Sequence, residues 1–186
     1  GDGSIVAIEL KTGQATVKSR LSEPWKAGVP TTVDFNPAAD RLRVMGADGA
    51  SLRVSVEDGK AIVDGTHRYK DGDANAGKTP RIVAAAYTNA MKGSKETTLY
   101  NIDAATGALV SQVPPNDGLL NTIGPLGVNI SGPAAFNIVA VGEGRNEAWL
   151  VTGGALYAVD LKRGKATLAG NIEGLPGNPT DIAWID

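Results

Sequence analysis

Residues 154–172 read GALYAVDLKRGKATLAGNI, which is an alternating strand, a turn that ends in glycine, and a second strand. The same pattern recurs in SIVAIELKTGQATVKSRL (4–21), SLRVSVEDGKAIVDGT (51–66) and TTLYNIDAATGALVSQV (97–113). A polar residue precedes each turn glycine, and glycine readily takes the positive φ that tight hairpins require. The sequence therefore predicts four hairpins, with turn glycines at Gly13, Gly59, Gly107 and Gly164.

The spacing of these hairpins predicts the architecture. The turn glycines lie 46, 48 and 57 residues apart, and further strands such as TTVDF (31–35) lie between the hairpins. About four strands in a repeat of this length is typical of a β-propeller blade. We expect a single all-β domain over residues 1–186, a propeller-like array of about four four-stranded blades. The predicted modules are 31–66, 81–113, 132–172, and a composite of 180–186 with 3–21.

The two ends of the chain predict how the array closes. TDIAWID (180–186) is similar to the inner strand TTVDFNP (31–37), while 4–21 is similar to the outer strands of a blade without its inner strand. Pairing the two ends would close the ring and cover two sheet edges. The alternative is that the terminal strands cap an open array.

Composition excludes several classes of function. The 186 residues include 18 Lys and Arg against 20 Asp and Glu, one His and no Cys. This near balance of charge argues against a nucleic-acid binder, which usually carries a basic surface. The lack of Cys excludes disulfides, thiolate metal sites and cysteine nucleophiles. No apolar run approaches the ~20 residues of a membrane-spanning helix, so we expect no transmembrane segment.

Several motifs resemble a known bacterial family. They are VDFNPAADRLRVMGADGASLRVSVEDG (33–59), YKDGDANAG (69–77), AAAYTN (84–89), TTLYNIDAATGALVSQVPPNDGLLNTIGPLGV (97–128) and AAFNI (134–138). Together, over about residues 30–186, they resemble the "domain of unknown function 4394" family. The resemblance implies an exported bacterial protein (periplasmic, cell-surface or extracellular) and no established activity. Members often have further repeats on the N-terminal side, and one more module here would change the number of blades.

The loop DGDANAG is the sharpest local signal for a ligand. Asp71, Asp73 and Asn75 place oxygen-bearing side chains at alternate positions, as at the start of a calcium-binding loop. The match is incomplete, because Ala76 stands where that loop has glycine and Ile82 where it has a bidentate Glu. The loop either binds Ca²⁺ or is an Asx-rich turn whose side chains cap their own backbone.

Two loops are candidates for contact with a protein partner. Trp25 lies in the linker SEPWKAGVP, where an exposed indole could anchor a partner. Asn116 and Asp117 lie in PPNDG, which could present them at one mouth of the ring. The alternatives are that Trp25 packs as a lid over the array and that PPNDG is a rigid turn.

Candidate catalytic groups are sparse. His67 could act as a base oriented by Asp71 or Asp73, but we expect it to be an exposed loop residue. No Gly-x-Ser-x-Gly nucleophile motif occurs. Five polar residues on or near predicted strands could instead form an axial metal site: Asp34, Asn89, Asn101, Asp103 and Asn137.

Three functions remain open from the sequence. The first, which we favour, is a non-catalytic binding or structural module that holds a protein partner or a larger assembly. The second is a metal-dependent hydrolase that uses the axial carboxylates and Asn side chains. The third is an adhesion module stabilised by calcium at Asp71, Asp73 and Asn75. The sequence leaves open whether the chain is an enzyme, and the scarcity of catalytic groups favours a role without catalysis.

Overall fold

A computed structural model describes residues 2–26, 28–142, 144–175, 177 and 179–184. Within these residues the chain forms fifteen β-strands in four sheets, together with one short 3-10 turn at Pro115–Asp117. The prediction of an all-β fold is confirmed. No helix in the described part of the chain is long and apolar enough to cross a bilayer.

The first two sheets come from the N-terminal third of the chain. Sheet 1 is a hairpin of β1 (Ser4–Ile8) and β2 (Ala15–Arg20). Sheet 2 is an antiparallel meander of β3 (Thr31–Asn36), β4 (Arg41–Gly46), β5 (Ser51–Val54) and β6 (Ala61–Val63). Alternating residues form these strands, so that one set faces a neighbouring sheet and the other set faces away from it.

The other two sheets complete the array. Sheet 3 has the order β8 (Ile82–Tyr87), β9 (Leu99–Asp103), β10 (Ala108–Gln112), β11 (Leu119–Pro125) and β7 (Arg68–Tyr69), with β7 parallel to β11. Sheet 4 is a meander of β12 (Ala134–Gly142), β13 (Arg145–Thr152), β14 (Ala155–Val159) and β15 (Ala166–Asn171). The predicted hairpin at 97–113 therefore consists of β9 and β10, which are the second and third strands of sheet 3.

The core lies between facing sheets. The first strands of sheets 2, 3 and 4 are called the inner strands: β3, β8 and β12. The strand β8 packs between β3 and β12, and all six of its residues are buried. Its sequence IVAAAY is rich in small residues, which suits a strand crowded on both faces. The largest apolar cluster joins sheets 3 and 4 and includes Leu109, Phe136 and Leu150. Full burial of each such side chain stabilises the fold by about 1.5–3 kcal/mol.

Turn glycines hold adjacent sheets close together. Gly59, in the β5–β6 turn, lies against the carbonyl of Arg20 at the end of β2. Gly164, in the β14–β15 turn, lies in the same way against Gly124 of β11. Both glycines have positive φ, +73° and +77°, and neither position has room for a Cβ atom. The same contact, a turn glycine packed against the backbone of the preceding sheet, therefore occurs in two of the repeated hairpins.

The predicted pairing of the chain ends is not observed. Among the described residues, β1 pairs with β2 alone, and 179–184 contain no strand. The last two residues of the predicted strand 180–186 lie outside the described residues. The segment instead lies beside β12, where the carbonyl of Ile182 accepts a hydrogen bond of 3.0 Å from Asn137 Nδ2.

Replacing Gly59 with alanine tests the contact between sheets 1 and 2. Gly59→Ala combines an unfavourable φ with a clash against backbone, so we expect a loss of about 3 kcal/mol in the free energy of unfolding. Gly13→Ala is the matched control, because Gly13 has φ +71° but no atom within 4 Å of the new Cβ. We expect it to cost only about 1 kcal/mol. Equal losses in urea unfolding would contradict the contact.

Candidate functional site

A fully buried arginine joins sheets 2 and 3. Arg43 on β4 donates from Nε to the Tyr87 hydroxyl of β8 at 2.7 Å. Its Nη1 donates to Ser51 Oγ at 2.9 Å and to Asp64 Oδ2 at 2.8 Å, and its Nη2 donates to Asn116 Oδ1 at 2.8 Å. A buried charge is tolerated when it is paired and hydrogen-bonded in this way. The guanidinium thus fixes the position of the PPNDG loop relative to both sheets.

Asp64 carries the negative charge of this network. Its carboxylate is buried and accepts hydrogen bonds from Arg43 and also from Arg53 Nε at 2.9 Å. Breaking a buried ion pair by removing one partner typically costs 3–5 kcal/mol, because the remaining charge is left uncompensated. No sequence motif singles out Arg43, Asp64 or Tyr87. The available signal is a charged residue at the centre of the strand β4, RLRVMG.

The PPNDG loop makes the contacts of a rigid turn. Besides the contact of Asn116 with Arg43, the backbone carbonyl of Asp117 accepts a hydrogen bond of 2.9 Å from Arg68 Nη1. Gly118, at φ +68°, lies against the backbone of Gly65. Asn116 and Asp117 are nevertheless exposed. Their predicted contact with a partner stays a prediction.

The expectation that His67 is exposed is wrong. The side chain is only 5% exposed, and neither ring nitrogen has a hydrogen-bond partner among the residues that the structure describes. Its backbone N–H donates to the carbonyl of Gly49 at 3.1 Å, which holds the residue beneath the β4–β5 turn. Burial, together with the positive charge of Arg43, lowers the pKa of His67 to about 4, against the raising effect of Asp48. The imidazole is therefore neutral at pH 7.

The buried imidazole makes stability depend on pH. An unfolded His has a pKa near 6.5, so below that pH the unfolded chain binds the extra proton more strongly. The stability contributed by neutral His67 is present above pH 6.5 and is lost as the pH falls toward 4. We expect His67→Leu to gain about 3 kcal/mol relative to the natural chain between pH 7.5 and 4, measured by urea unfolding. A pH-independent difference between the two chains would contradict this account.

The DGDANAG loop uses its oxygens internally. Asp73 accepts hydrogen bonds of 2.6 Å from both the backbone N–H and the hydroxyl of Thr122, and one of 2.8 Å from Asn75 N. Burial raises the pKa of Asp73, but these hydrogen bonds outweigh it and lower the pKa overall. Asn75 Oδ1 accepts from Lys78 Nζ at 2.8 Å, while Asp71 is exposed. These contacts are those of an Asx-rich loop pinned to β11, and the calcium site stays a prediction.

Trp25 is half-buried against sheet 2. Its Nε1 donates to Thr31 Oγ1 at 3.0 Å, and its ring packs against the cluster of Val44, Leu52 and Val54. It also borders a cavity of about 330 Å³, whose walls include Asp48 and other residues of the linker and sheet 2. The contacts are those of a lid over the sheet, and the role as a partner anchor stays a prediction.

The five proposed axial residues do not converge on one site. Asn89 is paired with Asn146, and Asn101 Nδ2 of β9 donates to Gln112 Oε1 of β10 at 2.9 Å. Asp103 accepts from the Tyr69 hydroxyl and, at 2.8 Å, from Arg81 N. Asp34 and Asn137 do lie on the inner strands β3 and β12. Within the described residues, no group of three or more His, Cys, Asp or Glu side chains could hold a metal.

The inner strand β3 carries a carboxylate with a raised pKa, Asp34. Burial raises the pKa of Asp34 to about 6, against hydrogen bonds from the N–H groups of Tyr87 and Phe35, and the charge of Asp181 raises it further. Partial burial of its carboxylate also raises the pKa of Asp181, against the hydrogen bond from the Ile182 N–H, although the residue as a whole is exposed. Both residues thus have raised pKa values, although they lie far apart in sequence. Asp181 was not singled out from the sequence, because no local motif surrounds it.

The starts of the inner strands surround one cavity. It has a volume of about 600 Å³ and is bordered by Thr31 of β3, Val83 of β8, Ala134 of β12 and Thr180, together with the Arg81 side chain. Three sheets and the C-terminal segment thus each place a residue at the same opening.

Comparison with known proteins assigns a family and no activity. No curated protein matches this chain. The crystal structure of the computationally designed Ika8 protein is similar with a TM-score of 0.43 at 16% identity, covering 100% of this chain and 48% of the designed one, so the chain spans about half of that protein's length. Similarity at that level carries no argument about fold or function. The family model "Domain of unknown function (DUF4394)" matches residues 1–183, which includes the N-terminal hairpin. The chain therefore belongs to the DUF4394 family.

Proposed function

We propose that this chain is a non-catalytic binding or structural scaffold module of an exported bacterial protein, and that it presents its surface to a protein partner or assembly. The observation that carries the proposal is the bare apolar face of sheet 1. Val6, Ile8 and Val17 are 45%, 60% and 57% exposed, and Val6 lies directly opposite Val17 across the hairpin. Exposed apolar side chains grouped on one sheet face are typical of an interaction surface.

The scaffold is a propeller-like arrangement of the four sheets around a common axis. Supporting this are the side-by-side packing of β3, β8 and β12 and the cavity that their starts share with Thr180. The same cavity places the C-terminal segment beside sheet 2, because Thr180 and Thr31 both border it. In this arrangement residues 180–184 occupy the inner position beside sheet 1.

A binding role suits the polar groups as well. Arg43, Asp64, Asp73 and Asp103 are engaged in hydrogen bonds that join sheets and loops. Such groups hold a rigid frame that positions exposed loops. The pair of Asp34 and Asp181 favours the axial metal-dependent hydrolase as a second candidate, since carboxylates are suitable ligands for a hard metal ion.

Thermal unfolding with and without EDTA separates these functions. For the scaffold we expect no bound stoichiometric metal by elemental analysis and a Tm that EDTA leaves unchanged. An ion held at a hundredfold excess over its Kd would stabilise the fold by about 2.7 kcal/mol, which corresponds to a Tm change of roughly 5–10 °C. A bound ion with a Tm loss of that size would contradict the scaffold and favour the hydrolase or the calcium-stabilised adhesion module.

A further inference from the structure

The chain enters its inner strands through a repeated step. A proline lies one or two positions before the first residue of β3, β8 and β12, and another lies in the C-terminal segment beside β12. The four steps are Pro30–Thr31, Pro80–Arg81, Pro133–Ala134 and Pro179–Thr180. Because proline fixes its own φ near −65°, the backbone is restricted at each of these entrances.

The residues that follow the four prolines meet at one cavity. Thr31, Arg81, Ala134 and Thr180 all border the cavity of about 600 Å³ at the starts of the inner strands. Positions that are equivalent in the repeat therefore come together in space. Three of them have small side chains, whereas Arg81 is long and charged. The repeat itself does not require an arginine at this position.

Arg81 brings to the cavity a charge that the described part of the chain does not pair. Its backbone N–H donates to Asp103 Oδ1 at 2.8 Å, which holds the main chain in place. Its side chain is exposed, and its guanidinium has no hydrogen bond or ion pair with any described residue. Among the described residues that border the cavity, Arg81 has the one charged side chain. The cavity thus has a free cationic donor and no acidic side chain among those residues.

The rest of the cavity wall is largely apolar. It includes glycine, valine and proline residues from three segments of the chain: Gly28, Val29, Pro30, Val83, Gly132 and Pro133. The hydroxyl of Thr31 is already engaged, because it accepts a hydrogen bond from Trp25 Nε1 and donates one to the carbonyl of Val29. The volume lies within the range of ~300–1,000 Å³ that is usual for small-molecule sites.

A β-bulge lies at the same opening. Ile82 pairs with Asp103 and Ala84 pairs with Ile102, so Val83 is an extra residue in β8. Bulges are frequent next to active sites, where they redirect a side chain. Val83 consequently shares an apolar cluster with its neighbour Ala84 and also borders the cavity, two residues from Arg81.

We propose that this cavity, the entrance pocket bordered by Thr31, Arg81, Ala134 and Thr180, binds a carboxylate that is attached to an apolar body. The Arg81 guanidinium would hold the carboxylate through two parallel N–H···O hydrogen bonds, a geometry for which its planar fork is suited. The apolar body would cover Val83 and the neighbouring prolines.

The donor set favours a carboxylate over a phosphate. One guanidinium matches the single charge of a carboxylate, whereas phosphate sites usually add backbone N–H groups at a helix N-terminus or a nest. The apolar wall likewise suits a ligand with a single polar end. The inference goes beyond the proposed scaffold role, because it adds a small-molecule site to the same chain.

Isothermal titration calorimetry with sodium octanoate tests the entrance pocket. Octanoate joins one carboxylate to an unbranched alkyl chain, and octan-1-ol is its neutral analogue. EDTA in the buffer prevents a metal ion from holding the carboxylate. We expect saturable binding of octanoate with a Kd of about 1 mM or tighter. Octan-1-ol should bind at least about tenfold more weakly, because it cannot form the charge-assisted pair.

Three variants assign the binding to the guanidinium. Arg81→Gln should weaken octanoate binding at least about tenfold and leave the Tm unchanged, because the lost group contacts no described residue. Arg81→Lys keeps the charge but not the fork, so its affinity should be intermediate. Arg41→Gln is the matched control. Arg41 is also exposed, but it pairs with Asn36 at the opposite end of β3 from Thr31, so octanoate binding should not change.

A second ligand distinguishes two sources of the carboxylate. Free organic acids carry this chemistry, and so does the carboxyl end of a polypeptide. N-acetyl-leucine is a small mimic of such a chain end. Tighter binding of octanoate assigns the pocket to a free acid. Tighter binding of N-acetyl-leucine that Arg81→Gln weakens assigns it to a chain end.

Three outcomes would overturn the entrance pocket. They are a lack of binding by both carboxylates, equal binding to the natural chain and to Arg81→Gln, and binding of octan-1-ol as tight as that of octanoate. None of them bears on the scaffold role, which is tested by metal content and by the effect of EDTA on the Tm. A stoichiometric metal ion would contradict that role, while the expected dependence of octanoate binding on Arg81 would stay the same.

Discussion

Face-to-face burial between sheets is the constraint on which this structure depends. The chain has no cysteine for a disulfide, so the apolar faces of successive sheets must cover one another. The strand β8 meets this requirement completely, because a neighbouring inner strand lies on each of its faces. Sheet 1 meets it only in part. Val6 of sheet 1 is accordingly 45% exposed.

Polar chemistry at the sheet junctions adds specificity to this packing. Arg43 reaches from sheet 2 to Tyr87 of sheet 3 and to Asn116, so a single guanidinium sets the relative position of three segments. Its charge also raises the cost of protonating the buried imidazole of His67, whose ring nitrogens have no hydrogen-bond partner in the described part of the chain. The same junction therefore loses stability in acid.

Local patterns in the sequence predicted the local structure, and contacts distant in sequence were missed. Alternation and turn glycines identified the hairpins, because period-two burial and positive φ are properties of short segments. The burial of His67 depends on the distant carbonyl of Gly49, and the role of Arg43 depends on Asn116, 73 residues away. The DGDANAG loop was ambiguous because an Asx-rich turn and a calcium loop use the same residue types. The contact of Asp73 with Thr122 joins residues 49 positions apart, so no local pattern could reveal it.

Residue-resolved hydrogen exchange in the native state tests the central claim, that strands of this fold are held by pairing and by burial between facing sheets. The third strands β5 and β14 are paired on both edges, whereas β1 is paired only with β2 in the described part of the chain. The account predicts that β1 amides exchange at least about a hundredfold faster than the most protected amides of β5 and β14, a difference of about 2.7 kcal/mol. Equal protection in the three strands would contradict it.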